Sequence, residues 1–258
     1  MEHRSYLGDT RLIHKIVYAK NSYSECVYCG ETADTREHVP SRVFLEKPFP
    51  ENLPIVPACY TCNNSFSGDE LFLSILLERI KLKYIKDNYS CSDRVRKRIE
   101  ENKIIVDNID TVLNDNKLEQ LNERICNVLT KLAIGHAVYE LSVGYPKDDD
   151  LIVKYDVFYS FSYLMSSKEI EDFTTPYILN EALLPEVGSR GYEKILVLDL
   201  KYGGVEDTEK WFKSSLILLD WVNVQQDKYE YTCLLSENEV NVKIVIDNIM
   251  FAQVTFKY

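Results

Sequence analysis

The sequence predicts an α+β fold in which a short cysteine-bearing unit precedes helices and an antiparallel β-rich C-terminal region. Three observations support this prediction. Residues 24–68 are rich in turn residues and contain four of the seven cysteines. The middle of the chain has apolar residues at helical spacing. After residue 150 come short segments rich in Val, Ile, Tyr and Phe, which are typical of strands.

Apolar periodicity predicts three helices in the middle of the chain. The first starts at Asp69, where acidic residues favour a helix N-terminus. The second starts near Ser92, and the third is a long amphipathic helix between about Leu118 and Tyr139. Residues 107–117, which lie between the second and third helices, are predicted to form a polar loop.

The C-terminal part is predicted to be mainly β-structure. Its β-rich segments are LIVKYDVFYSF, KILVLDL, SLILLDWVNV, KYEYTCLL, NVKIVI and MFAQVTFKY. The last four are separated by short polar breaks, which suggests an antiparallel meander. A further short strand is predicted at residues 11–19. We place a domain boundary near residue 90, between residues 1–90 and an α+β remainder, residues 91–258.

Charge is unevenly distributed along the chain, whose net charge is -11. Residues 1–100 hold 15 basic and 14 acidic residues, whereas residues 101–258 hold 15 and 27. The first part can therefore meet a phosphate backbone without strong repulsion, and the acidic part is expected to bind a protein partner or a second copy of the chain. No apolar run approaches the roughly 20 residues of a membrane span, and no secretory signal is apparent. We expect a cytoplasmic protein without membrane contact.

Four cysteines form two C-x-x-C pairs: Cys26, Cys29, Cys59 and Cys62. Two such pairs provide four thiolates, a ligand set that suits tetrahedral structural zinc. The odd number of cysteines speaks against a disulfide framework. A closed site of four cysteines has no open position for substrate, so the zinc would stabilise the turn-rich unit. A zinc ribbon without catalysis remains compatible with this spacing.

The residues around the two pairs suggest catalysis as well. Glu37-His38 comes after the first pair, Asn52 precedes the second, and Asn63-Asn64 comes directly after Cys62. This arrangement resembles the HNH (ββα-metal) endonuclease family, in its four-cysteine zinc-braced variant with Asn in place of the last His. The resemblance covers roughly residues 24–70 and implies a small ββα-metal nuclease module.

The resemblance implies a role for each of these residues. His38 would be the general base, because an imidazole that titrates near neutrality accepts a proton from the attacking water. Glu37 and Asn63 would hold a catalytic divalent cation, Mg²⁺ or another, with Asn64 as an alternative ligand. Asn52 would stabilise the loop that carries His38. The family often has Asp or His at the position of Glu37, whose longer side chain shifts the expected metal position.

Two further groups of residues bear on function. A basic cluster on the second helix is a candidate DNA contact or a solvated surface: Arg94, Arg96, Lys97 and Arg98. His136 lies near the apolar face of the long helix, where a core histidine with a hydrogen-bond partner is expected. The segments KLAIGHAVYEL and WVNVQQDKYEYTCLL resemble the region C-terminal to the nuclease module in some free-standing bacterial HNH proteins.

Three functions are compatible with the sequence. The first is a DNA endonuclease with one structural zinc and one catalytic divalent ion, serving restriction or anti-phage defence, with residues 91–258 as an accessory or regulatory region. The second is a non-catalytic zinc-binding interaction module of a larger complex. The third is an RNA-directed nuclease. The sequence specifies neither the cleavage site, nor the number of strands cut, nor the activating signal.

Overall fold

The computed structural model describes residues 25–51, 53–84, 91–115, 117–141, 153–156, 167–179, 192–202, 210–236 and 239–257. Within these ranges the chain is α+β, as the sequence predicts. The described helices are α1 (Tyr60–Ser65), α2 (Ser67–Tyr84), α3 (Asp93–Glu101), α4 (Lys103–Asn114), α5 (Asn122–Leu141) and α6 (Ser167–Thr174). The described strands are β1 (Thr35–His38), β2 (Ile55–Ala58), β3 (Val153–Asp156), β4 (Tyr177–Leu179), β5 (Tyr192–Tyr202), β6 (Lys210–Asp220), β7 (Val222–Gln225), β8 (Tyr229–Ser236), β9 (Glu239–Ile246) and β10 (Met250–Lys257). The strand predicted at residues 11–19 lies outside the described residues.

A two-stranded sheet and the helix after it form the first unit. β1 pairs antiparallel with β2, with Thr35 opposite Ala58. Cys59 caps α1, because its Sγ accepts a hydrogen bond from the backbone N–H of Cys62 at 3.4 Å. The order of elements is therefore β, β, α, and it brings the two cysteine pairs and the polar residues beside them close together.

Two of the predicted helices are confirmed. The helix expected from Asp69 is α2, and its residues at helical spacing are buried: Phe72, Ile75, Leu76 and Ile80. The helix expected near Ser92 is α3, for which Ser92 is the N-cap residue. α2 is buried on nearly all sides, since Leu73 and Leu77 are buried as well, whereas α3 buries only Val95.

The prediction of a polar loop at residues 107–117 is wrong, because most of this stretch belongs to α4. The helix buries apolar residues three and four positions apart: Val106, Ile109 and Leu113. Polar residues fill the positions between them and obscure this helical signal. Arg79 of α2 also donates two hydrogen bonds of 2.7 Å to the Asp110 carboxylate, which gives one of these polar residues a partner.

The long helix predicted up to Tyr139 is confirmed as α5, but it is buried on more than one side. Twelve of its 20 residues are buried, so it resembles an internal helix rather than a surface helix with one apolar face. It contacts α2 and β2 as well as β8, β9 and β10. A Cβ at Gly135 would lie 2.9 Å from Cγ2 of Val39, so the missing side chain lets the segment after β1 approach the helix closely.

The C-terminal sheet confirms the predicted meander. Its strand order is β3-β10-β9-β8-β7, and all its pairings are antiparallel. The turn between β9 and β10 has positive φ angles at Asp247 and Asn248, a conformation that Asp and Asn tolerate better than most residues. The remaining described strands of the C-terminal part form a second antiparallel sheet with the order β4-β6-β5.

A single cluster of buried apolar residues includes parts of the chain on both sides of residue 90. It extends from Phe44 in the first unit, through Leu132 of α5, to Phe256 of β10. The boundary near residue 90 stays a prediction, but the described parts on either side of it share a core. Among the described helices, none combines the length and the apolarity that crossing a membrane requires.

Two isoleucines of α4 provide a matched test of this packing. Ile109 is fully buried and Ile104 is 79% exposed. We expect Ile109→Ala to lower the free energy of unfolding by about 2–5 kcal/mol, because it leaves a cavity in the core. Ile104→Ala should change it by less than about 0.5 kcal/mol. Denaturant unfolding of the full chain measures both values, and equal values would contradict the packing of α4.

Candidate metal centre and polar site

The four cysteines of the two C-x-x-C pairs converge on one point. Their Sγ atoms all lie within 4.8 Å of one another, and those of Cys29 and Cys59 are 3.7 Å apart. A tetrahedral zinc with Zn–S bonds of about 2.3 Å separates its sulfurs by about 3.8 Å. The cluster is therefore close enough to bind a metal such as zinc, and its four sulfur ligands suit that ion.

Local backbone structure positions these thiols. The backbone N–H of Gly30 donates to the Cys26 carbonyl at 2.9 Å, in a turn where Gly30 has a φ of 78°, which favours glycine. The hydrogen bond from the Cys62 backbone N–H lowers the pKa of the Cys59 thiol. Burial, and then the neighbouring thiols, raise the pKa of Cys62. A turn and the start of a helix therefore hold the four thiols close together.

β1 presents two different faces, because successive side chains of a strand point in opposite directions. Thr35 and the buried Glu37 share the inner face. Arg36 and His38 share the outer face, where Arg36 is exposed and His38 is half-buried. Glu37 and His38 are adjacent in sequence, yet one belongs to the interior and the other to the surface.

The amide of Asn63 has a defined orientation. Thr35 Oγ1 donates its hydrogen to the Ala58 carbonyl at 2.7 Å, so it accepts a hydrogen bond from Asn63 Nδ2 at 3.1 Å. The amide nitrogen therefore faces Thr35, and the amide oxygen is directed elsewhere. Asn64, the alternative ligand, has an exposed side chain. Asn52 lies outside the described residues.

Glu37 belongs to a buried polar cluster that also contains Ser41, Glu70 and Lys131. Lys131 Nζ donates to Glu37 Oε1 at 2.9 Å and to Ser41 Oγ at 2.7 Å, and it also bonds Glu70 Oε1. Ser41 Oγ lies 3.2 Å from Glu37 Oε1 and also contacts Glu70 Oε1. The Lys131 side chain is only 1% exposed. The site is thus a buried ammonium between two carboxylates.

A buried hydroxyl lies beside this cluster. The ring of Tyr28 packs edge-on against Phe66, with 5.2 Å between the ring centroids. Its Oη has no hydrogen-bond partner among the described residues. Burial, and then the carboxylates of Glu37 and Glu70, raise the pKa of Tyr28 well above its usual value, so it remains a neutral donor. A buried donor of this kind indicates a position for a water molecule or a ligand atom.

His38 is in the form that accepts a proton. Burial, and then the nearby positive charge of Arg42, lower the pKa of His38 below its ordinary value, against the opposing effect of Glu37. The imidazole is therefore neutral at pH 7, as a general base requires. Arg42 is exposed beside it and lies over the ring of Phe49, with 5.4 Å between the guanidinium carbon and the ring centroid.

The predicted basic cluster on α3 divides into two pairs. Arg94 donates to the Leu45 carbonyl at 3.1 Å, and Arg98 donates to the hydroxyl of Ser74 at 3.0 Å. Both therefore have partners within the protein. Arg96 and Lys97 are exposed, as Arg94 also is, and each of these two lies near an acidic residue of the same helix. A DNA contact through this cluster stays a prediction.

Sequence reasoning missed Lys131 and Glu70. Lys131 lies 94 residues from Glu37, so no local spacing connects them. From the sequence, Glu70 is only an acidic residue that favours a helix N-terminus. In the structure its carboxylate is buried and ion-paired with Lys131. The available signal was a lysine among apolar residues in α5. The expectation that His136 is a core histidine with a partner is confirmed, because it is fully buried and its Nε2 lies 2.8 Å from the Tyr229 hydroxyl.

Within the described residues, the four cysteines are the one group of three or more His, Cys, Asp or Glu that could hold a metal. Glu37 has a carboxylate and Asn63 an amide, whose oxygens are ligands that Mg²⁺ accepts, but Glu37 is ion-paired with Lys131. A second, catalytic ion at Glu37 and Asn63 therefore stays a prediction.

Comparison with known protein families, curated proteins and solved structures finds no match for this chain. The resemblance to HNH endonucleases therefore depends on the motif residues alone.

The cysteine site can be tested by metal analysis of reduced protein, in which we expect one tightly held zinc per chain. Cys62→Ser should lose the zinc and lower the melting temperature by several degrees, because a structural metal contributes folding free energy directly. Cys91→Ser is the matched control, since Cys91 lies outside the cluster. It should retain the zinc and the wild-type melting temperature. Wild-type protein without zinc would contradict the assignment.

Proposed function

We propose that this protein is a metal-dependent HNH endonuclease that hydrolyses phosphodiester bonds of DNA. The single observation that carries the proposal is that one short ββα unit, which four cysteines can stabilise, also contains Glu37, His38 and Asn63, although Glu37 and His38 face opposite sides of β1. A zinc ribbon requires the cysteines alone, whereas a carboxylate, an imidazole and an amide are the groups that the proposed reaction needs.

The geometry supports a division of roles. His38 is half-buried on the outer face of β1, where substrate can reach it, and its neutral ring can take a proton from water. Asn63 is held by Thr35 so that its amide oxygen remains for an ion. Glu37 is held at one carboxylate oxygen by Lys131. These residues match the general base and the two metal ligands that the resemblance implies.

The proposed reaction is hydrolysis of one P–O bond. Water loses a proton to His38 and its oxygen bonds to phosphorus, while the bond to the 3′ oxygen breaks and that oxygen gains a proton. A divalent ion, when bound, would stabilise the negative charge that develops on the phosphate and on the leaving oxygen. Glu37 and Asn63 would hold this ion, with Asn64 as the alternative to Asn63.

The surface near His38 supports a phosphate-containing substrate. Arg36 lies on the same face of β1 as His38. Arg42 is close enough to His38 for its positive charge to lower the pKa of the imidazole. Arginine is a frequent phosphate contact, although such contacts carry no sequence information. Tyr60 at the start of α1 is 66% exposed and provides a further contact surface. A role in restriction or defence, and a protein partner for the acidic C-terminal part, belong to the same proposal.

One observation favours the alternative of a non-catalytic zinc module. Glu37 is buried and already ion-paired with Lys131, which it shares with Glu70, so a cation lies beside it without any added ion. In that case the chain would bind nucleic acid or protein without cleaving it. A cleavage assay with plasmid DNA and RNA, with and without Mg²⁺, separates the two functions and also distinguishes a DNA-directed nuclease from an RNA-directed one.

The role of His38 is tested by His38→Ala. We expect cleavage of plasmid DNA in Mg²⁺ to fall by about 10²- to 10⁴-fold, because a positioned base contributes this much to the rate. Zinc content and circular dichroism should be unchanged, since His38 lies outside the cysteine cluster. Undiminished cleavage by the folded variant would exclude His38 as the base.

The choice between Asn63 and Asn64 is tested by a matched pair of alanine variants. Asn63→Ala should lower cleavage at limiting Mg²⁺ by about tenfold or more, because it removes an oxygen ligand. A higher Mg²⁺ concentration should restore part of the activity. Asn64→Ala should cleave like the wild type, because its side chain is exposed and Asn63 is the one bound to Thr35. The reverse result would make Asn64 the ligand.

A further inference from the structure

The environment of Lys131 has the composition of a cation site. Its three neighbours are oxygen atoms, from the carboxylates of Glu37 and Glu70 and from the hydroxyl of Ser41. A lysine ammonium has three N–H donors, and these three oxygens use all of them. Two carboxylates and a hydroxyl are also the hard ligands that a divalent ion prefers.

The charges allow one cation to substitute for another at this position. The two carboxylates carry two negative charges, and Lys131 supplies one positive charge. Burial makes an unbalanced charge costly, so buried charges in proteins are paired or bind metals. Without the lysine, the two carboxylates would face each other beside a single hydroxyl that has one proton to donate, and a divalent ion would be the cation that balances both.

We propose that Lys131 acts as a built-in cation that excludes a divalent ion from the space between Glu37 and Glu70. Lys131 thereby directs any ion to the side of Glu37 that faces away from the lysine. The inference depends on the proposed function only for the catalytic role of that ion. The oxygen set itself is a property of the chain whether or not the protein is a nuclease.

The hydrogen bonds to Glu37 agree with this role. Lys131 and Ser41 both contact Oε1 of Glu37. Within the described part of the chain, no hydrogen bond falls on Oε2. One oxygen is therefore fixed by the lysine, and the other is left to a ligand. Partners that orient a metal-binding carboxylate in this way determine both its position and its affinity. Lys131 is thus a positioning residue, which acts through Glu37.

The test measures Mn²⁺ binding to the full zinc-loaded chain by electron paramagnetic resonance and calorimetry. Mn²⁺ prefers oxygen ligands and so avoids the cysteine site. We expect Lys131→Met to bind Mn²⁺ at least about tenfold more tightly than the wild type, a change of about 1.4 kcal/mol, because both carboxylates can then bind the ion and no ammonium competes for them. Nuclease activity, if present, should fall, because the ion is drawn to the wrong side of Glu37.

Two controls separate this role from general effects. The first control is the double variant Lys131→Met with Glu70→Gln, which lacks both the lysine and one of the two carboxylates. The Mn²⁺ affinity of this double variant should return to about the wild-type value. Lys83→Met removes the same charge from a lysine that donates to the Leu113 carbonyl and to Asn114, and it should leave Mn²⁺ binding unchanged. A gain in affinity that persists without Glu70, or that Lys83→Met also produces, would overturn the proposal.

The measurement remains decisive if Lys131→Met fails to fold alone. Mn²⁺ should then restore its circular dichroism spectrum and raise its melting temperature in a concentration-dependent way, and the double variant should fold without the ion. A Lys131→Met protein that neither binds Mn²⁺ nor gains stability from it would refute the role of Lys131. Absence of cleavage by the wild type refutes the proposed nuclease instead, so the two failures are distinguishable.

Discussion

The burial of polar residues on α5 is the constraint on which the arrangement of the described parts depends. Lys131 and His136 lie among apolar neighbours, as does Glu140, and buried polar groups are costly unless they are hydrogen-bonded. Lys131 finds its partners on the zinc-binding side, whereas His136 and Glu140 find theirs in Tyr229 and Tyr231 of β8. Because these partners come from separate elements, their hydrogen bonds connect the helix both to β1 and to the C-terminal sheet.

Much of the first unit can be predicted from the sequence, since its signals are local. The spacing of the cysteine pairs predicts a metal site, and the described thiols converge as that spacing implies. Helix α2 has a nearly continuous apolar stretch of helical length, and strand β9 of the C-terminal meander alternates between buried and half-buried residues. The buried cluster of Glu37, Ser41, Glu70 and Lys131 was not predictable in the same way. Lys131 and Glu37 are 94 residues apart in the sequence, and local sequence patterns do not reveal a contact over that separation. Helix α4 was missed because Asp107, Asn108 and Asp110 outweighed the apolar residues between them.

The first unit keeps soft and hard ligand sets apart. The cysteine sulfurs form one group, and the carboxylates of Glu37 and Glu70 form another with Ser41 and Lys131. Thiolates select zinc, whereas carboxylate and amide oxygens select magnesium or manganese. The ring of Phe66 lies 5.6 Å from Lys131 Nζ and also contacts Tyr28, so an aromatic pair adjoins the oxygen set. Because these preferences differ, the two ligand sets would not compete for the same metal.

The distance in sequence between Lys131 and its carboxylate partners has a consequence for synthesis. Glu37 and Glu70 leave the ribosome well before α5 has been made, and chains emerge at about 5–20 residues per second. For several seconds the nascent zinc-binding unit therefore has its two carboxylates without the lysine that lies between them in the finished protein. Until α5 packs, water solvates the two carboxylates, and the packing of α5 replaces that water with the ammonium of Lys131.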